Sequence, residues 1–466
     1  MVTEKRRQTA WCLYDWANSA FATSILAALL PVYFAKSVVP SEGIHVSLLF
    51  WSWHTQATSL WAYAVSASLL LVTILAPFLG ALADYSRNKK TFFALSAYLG
   101  AFATIFLYGA KPGSVWYTLL FFSVAHVGFA GSEIFYNAFL PDLAPPEKHD
   151  WLSGLGYAYG YLGGGLLLAL QLAFLMSLKH LGNPDVTSAV RLCLASVGVW
   201  WAIFTLPALF WLPGAMWGLP SHGGKAGGGP AHRDVAADCR QWIHLITLSL
   251  QQVKSTFLQA RAHRNLFLFL LAFFFYNDGI QTVISMAAIY GATELNLSQN
   301  SLLGTLLLTQ FVAFPGAMLF SKWAEVWQTK KVLWVTLVLW CGIVFYAYHM
   351  RQGWEFWMLG VSVGLVLGGS QALSRSFYSQ MVPVQQSAEF FGMFSIGSKF
   401  ASISGPFVFG LIRDLTGSSR LAILSTLFFL VTGAVLLVLV RPPGSPGPQP
   451  KINFTTKDKK STKGSS

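Results

Sequence analysis

Residues 77–90 read PFLGALADYSRNKK. An apolar run closes on Gly80 and Asp84, and Arg87, Lys89 and Lys90 follow at once. A helix built for hydrocarbon that ends in such a knot of charge is leaving a bilayer, with its cations anchored at an anionic surface. The rest of the chain extends that reading. Of 466 residues 54% are hydrophobic and 11% charged, whereas a soluble domain carries about 25% charged residues. So much apolar surface requires lipid. The fold class expected is all-α integral membrane. The net charge of +13 sits in short clusters between apolar runs, a pattern of loops facing lipid heads and not of a nucleic-acid groove. Cys12, Cys193, Cys239 and Cys341 have no paired spacing, so no disulfide framework, metal site or cofactor is expected.

A spanning helix needs about 20 apolar residues. Twelve such runs are read: 14–36, 60–83, 91–110, 115–140, 152–178, 190–213, 263–290, 300–323, 330–350, 354–381, 390–412 and 419–440. An even count puts both termini on one side, and most of the 31 Lys and Arg residues fall there, which makes that side cytoplasmic. The segment PDLAPPEKHD (141–150) is net acidic and departs from this bias. The domain reading is a six-helix bundle over 1–213, a cytoplasmic linker over 214–262, a second six-helix bundle over 263–440, and a disordered basic tail over 441–466. The linker opens Gly-rich and carries an amphipathic stretch at 241–258.

The halves echo each other. Phe135-Tyr136 and Pro141 match Phe377-Tyr378 and Pro383 at a constant offset, which also pairs Glu133 with Arg375 and Asn137 with Ser379. Two six-helix halves in parallel repeat are a transporter architecture with its site between them.

GALADYSRNKK (80–90) resembles the cytoplasmic turn between spans two and three of the major facilitator superfamily, with Gly80, Asp84, Arg87, Lys89 and Lys90 at its marked positions. YDWANSAFAT (14–23), NAFLPDLA (137–144), GYLGGG (160–165), FFFYNDGIQTV (273–283) and SRSFYSQMVP (374–383) are similar to the vacuolar-effluxer branch. The resemblance implies the two-bundle facilitator fold and a turn that locks and releases the bundles. It also implies amino-acid export, which is linked to the fungal members.

Charge inside a span costs about 2.5–3.5 kcal/mol on insertion scales, so each instance needs a reason. Asp278 lies mid-span beside Asn277 and one turn before Gln281. It is read as a proton or substrate-ammonium site, or as the structural partner of Arg375 or Lys399. His126, Glu133 and Asn137 share one helix face. Glu133 carries a proton or pairs with Arg375, while His126 reads as a packing residue. Arg375 and Lys399 suit a substrate carboxylate. Asp15 and Asn18 open the first span, as a gate or as plain helix caps. The glycines of 160–165 permit close helix crossing, and Tyr157 and Tyr161 share a face toward the cavity.

No nucleotide signature is present, so a secondary active transporter of small-molecule solutes by alternating access is expected, driven by an ion or solute gradient. Proton coupling fits the carboxylates; uniport stays open, and so do drugs, lipids or peptides as cargo. An enzyme lacks converging groups, since only His126 of ten histidines lies plainly within a span. A non-transporting scaffold or receptor is the other rival. The remaining expectations are a monomer in membrane lipid, no nucleic-acid partner, and a bacterial inner membrane, or a vacuolar one in a eukaryote.

Overall fold

The computed structural model describes residues 3–40, 42–48, 51–55, 57–86, 88–180, 185–214 and 264–442. Among them run twelve long helices. The first six are α1 (Glu4–Val38), α2 (Ala57–Ser86), α3 (Lys89–Phe106), α4 (Val115–Ala138), α5 (His149–His180) and α6 (Val186–Trp211). The second six are α7 (Arg264–Glu294), α8 (Gln299–Trp327), α9 (Thr329–His349), α10 (Gly353–Ser379), α11 (Ser387–Thr416) and α12 (Ser419–Leu439). Eleven are long and apolar enough to cross a bilayer by length and composition, and α2 is 30 residues long. Phe210, Phe407 and Leu415 stand exposed on the outside of the bundle, where lipid is their environment. The expected twelve-helix membrane architecture is therefore present.

A short antiparallel hairpin, β1 (Ile44–Leu48) and β2 (Trp51–Thr55), joins α1 to α2; the sequence reading contained no strand. The linker from residue 215, its stretch at 241–258, the tail beyond Pro442, Arg87 and the Asp84 side chain lie outside the described residues.

In the first half α1 packs on α5 and α6, and α3 on α4 and α6; in the second half α7 packs on α11 and α12, and α10 on α8 and α9. The halves meet where α5 lies against α8 and α10, and where α11 lies against α2 and α4. The face of the bundle where α1 begins and α12 ends is here the terminal face.

The close crossings follow from missing side chains. A Cβ on Gly163 would lie 2.4 Å from the Trp16 carbonyl oxygen, so α5 touches α1 backbone to backbone, as the glycine run predicts. Past this crossing α1 widens to i→i+5 bonding over Phe21–Ala28, a local expansion that recurs at functional sites.

The start of α1 corrects one expectation. The helix begins at Glu4, not at residue 14. Its polar first turn protrudes while Trp11, Tyr14, Asp15 and Asn18 are buried. The polar residues 4–9 are largely exposed, so hydropathy understates the helix there. Asp15 is accordingly three turns inside the helix and caps nothing.

Candidate functional site: an arginine held between the halves

Arg375, near the end of α10, is 2% exposed. Its guanidinium crosses to the other half, where every group it meets belongs to α1, α4 or α5. Nε donates to Ser153 Oγ at 2.9 Å and one terminal nitrogen donates to the Ser153 carbonyl at 2.7 Å. The other terminal nitrogen donates to Asn137 Oδ1 at 3.2 Å and faces Asp15 Oδ2 at 3.4 Å. Three rings complete the enclosure, with centroids 4.1 Å (Tyr157), 4.7 Å (Trp11) and 5.4 Å (Tyr136) from the guanidinium carbon.

The enclosure is itself pre-built. Trp11 and Tyr136 stack at 4.5 Å, and Trp11 Nε1 donates to the Tyr136 carbonyl at 2.9 Å. The Tyr136 hydroxyl donates to Asp15 Oδ2 at 2.9 Å. Gly156 supplies the floor: a Cβ there would lie 2.7 Å from Trp11 and 2.9 Å from the Arg375 guanidinium. A buried cation without a partner is costly, and here a carboxylate, three other acceptors and three aromatic faces meet it. Each desolvated cation–π contact contributes up to about 2 kcal/mol.

One level further from the terminal face, Lys399 of α11 reaches Glu133 of α4 at 3.4 Å. Glu133 therefore does not pair with Arg375, one of the two roles expected of it. The repeat relates these residues by a pseudo-two-fold and does not oppose them, so each crosses to a different helix of the other half. In both ion pairs the acid stands on the first half and the base on the second. Tyr161 donates to Gln371 Oε1 at 2.5 Å across the same seam, and Tyr157 and Tyr161 stack at 6.2 Å, as their shared face implied.

Below Arg375 the terminal face is closed by two further clusters. Asp150, at the start of α5, is buried and accepts from Thr329 Oγ1 at 2.7 Å, from Gln380 Nε2 at 3.4 Å and from the Ser376 hydroxyl. On the opposite side Lys89 donates to Ser387 Oγ at 2.7 Å, to the Ala138 carbonyl at 3.0 Å and to Asp142 at 2.9 Å. Gly80 touches the first turn of α11, since a Cβ there would lie 2.5 Å from the Ala388 carbonyl oxygen. Lys90 turns away and donates to the Leu212 carbonyl at 2.8 Å. Asp142 and Asp150 of the 141–150 segment thus serve as partners at the seam.

The α7 cluster lies apart from this site. Asp278 pairs with neither Arg375 nor Lys399. It accepts from the Gly405 backbone N–H at 2.8 Å and from the Ser404 hydroxyl, both on α11, within its own half. Asn277 donates to the Ser398 carbonyl at 3.5 Å. Gln281 is half-buried, and its carbonyl accepts from Ser285 Oγ at 2.7 Å. Asn18 is buried, with Oδ1 outside any hydrogen bond. His126 is a packing residue, bonded to Ser68 Oγ at 2.8 Å.

Trp11, Asp150 and Ser153 escaped the sequence reading. Trp11 and Asp15 stand at i and i+4, and so do Ser153 and Tyr157, but nothing in the spacing shows that both pairs face one arginine 360 residues from Asp15.

Two helical halves joined by ion pairs across a membrane-spanning seam are the architecture of a major facilitator transporter. The chain belongs to the family described as vacuole effluxer Atg22 like, whose model matches residues 3–443. It is 33% identical to the "uncharacterized MFS-type transporter YxiO" of Bacillus subtilis, over 93% of this chain and 95% of that one. It is 23% identical to autophagy-related protein 22-1 of Emericella nidulans, over 90% and 87%. Among solved structures it resembles the facilitator FucP in its outward conformation, with a TM-score of 0.65 and 14% identity over 95% of this chain and 99% of that one. The proton:xylose symporter XylE gives the same TM-score over 94% and 95%.

Proposed function

We propose that the chain exports amino acids by alternating access, coupled to protons, with both termini cytoplasmic. The observation that carries this reading is the sorting of charge at the seam: Asp15 and Glu133 on one half, Arg375 and Lys399 on the other. When the halves part at the terminal face, both pairs separate and expose unlike charges to one water-filled cleft. A zwitterion brings an ammonium for Glu133 and a carboxylate for Lys399. A proton on a carboxylate lowers the cost of leaving it unpaired. The terminal face is held shut by Arg375, Asp150 and Lys89, which corresponds to an outward-facing carrier once that face is cytoplasmic. The relatives named for autophagy and the proton symporters of the same fold support the reading by analogy.

The test is uptake and counterflow of labelled amino acids in proteoliposomes, with and without an imposed pH gradient. Gradient-stimulated exchange of at least one amino acid is expected. Absence of exchange for the whole set removes the reading.

A further inference from the structure

The enclosure around Arg375 is made wholly by the first half, whereas its occupant comes from the second. Trp11, Tyr136 and Tyr157 offer three ring faces to a planar cation, Asp15 offers a carboxylate, and Asn137 and Ser153 offer fixed acceptors. Trp11, Tyr136 and Asp15 keep their own scaffold without the arginine: Trp11 is bonded to Tyr136, Tyr136 to Asp15, Tyr157 stacks on Tyr161, and Gly156 leaves the floor open. Such a box is the general chemistry of cation recognition, in which aromatic faces and one anion replace hydration. If the halves separate, Arg375 leaves with its own half. The box then opens on the cleft with an unpaired carboxylate and idle acceptors, which an arriving cation can pair.

We infer that this box is a binding site for the cationic head of a guanidinium- or alkylammonium-bearing solute, and that Arg375 is its built-in competitor. The inference rests on the alternating-access reading and adds a substrate class to it. While Arg375 occupies the box the terminal face is closed and the solute is excluded. While the solute occupies it, Arg375 cannot return, and the face closes only after the cation has moved on from the box into the cleft. Apparent affinity is therefore reduced by the fraction of molecules in which Arg375 is seated.

Binding to the purified full chain in detergent tests this independently of transport. Agmatine, which carries a guanidinium and no carboxylate, is the probe, and urea is the uncharged isostere of its guanidinium head. The readouts are quenching of tryptophan fluorescence and equilibrium dialysis of labelled agmatine. Wild-type protein is expected to bind agmatine, and Arg375→Ala to bind it about tenfold tighter or more because the competitor is gone. Asp15→Asn in the Arg375→Ala background should weaken binding about tenfold or more, and urea should not compete. Arg375→Gln replaces Arg375→Ala if the latter does not yield folded protein. If Arg375→Ala binds agmatine no more tightly than wild type, Arg375 is not the competitor for the box and the inference is overturned. Binding by neither protein, or binding indifferent to Asp15→Asn, overturns it too. Failure of amino-acid exchange in liposomes would instead remove the transport reading, whatever the dialysis shows.

Discussion

Arg375 of α10 and Asp15 of α1 stand 3.4 Å apart across the seam between the halves, and the Tyr136 hydroxyl donates to the same carboxylate oxygen. Removing one partner of a buried pair costs about 3–5 kcal/mol, because the survivor keeps its desolvation penalty. Arg375→Ala is therefore expected to shift the protein from closed to open at the terminal face by a hundredfold or more, which corresponds to about 3 kcal/mol. Spin-label distances between α5 and α10 read the shift. Arg375→Lys keeps the charge but loses the planar fork, and falls between wild type and Ala.

Gly80 gives a steric prediction. A Cβ would sit 2.5 Å from the Ala388 carbonyl and 2.9 Å from the Glu389 Cα, both of them backbone. Neither can rotate away. Gly80→Val should weaken the closed state by about 2 kcal/mol or more, in the range of overpacking. Gly342→Ala, where an added Cβ meets nothing within 4 Å, should be neutral. Cysteine-labelling rates at the start of α11 compare the two.

Asp150 contributes through neutral donors only: Thr329, Ser376 and Gln380. Asp150→Ala leaves buried hydroxyls without an acceptor and should cost the closed state about 1–3 kcal/mol. A double-mutant cycle with Thr329→Val checks the partner. Coupling is expected to be clearly non-zero, whereas additive effects would mean that the contact carries no energy.

For Asp278 the isosteric Asp278→Asn keeps an acceptor for the Gly405 N–H and removes the ionisable group. Under the proton-coupled reading, expression persists and gradient-driven transport is lost. Unchanged transport would make Asp278 a structural pin for α11. Gly405→Ala, with its Cβ 1.8 Å from Thr282 Oγ1 and 2.7 Å from Asp278 Oδ1, should reduce folded yield in either case.

Much of this fold is legible in the sequence because lipid imposes long apolar runs with charge at their ends. The knot at 80–90 and the Phe-Tyr…Pro echo place helices and repeat without tertiary information. Partners are another matter. Glu133 and Arg375 occupy equivalent places in the repeat, and equivalence looks like opposition in one dimension; the pseudo-two-fold sends one to Lys399 and the other to Asp15. The start of α1 was hidden because its first turns, Glu4 to Thr9, are polar and largely exposed, and an apolar run cannot mark a helix that protrudes beyond it. Asp150 looked like a breach of charge bias in a loop, when it is the buried acceptor of a seam whose donors lie 179 and 226 residues away.

For a solute to cross, the terminal face must open. Cysteines at Asp150→Cys and Ser376→Cys, in a chain with Cys12, Cys193, Cys239 and Cys341 replaced, can be joined by a short thiol-reactive bridge across the halves. The joined protein is expected to lose exchange in proteoliposomes and to recover it on reduction; exchange at the unjoined rate while the bridge is intact would contradict the account.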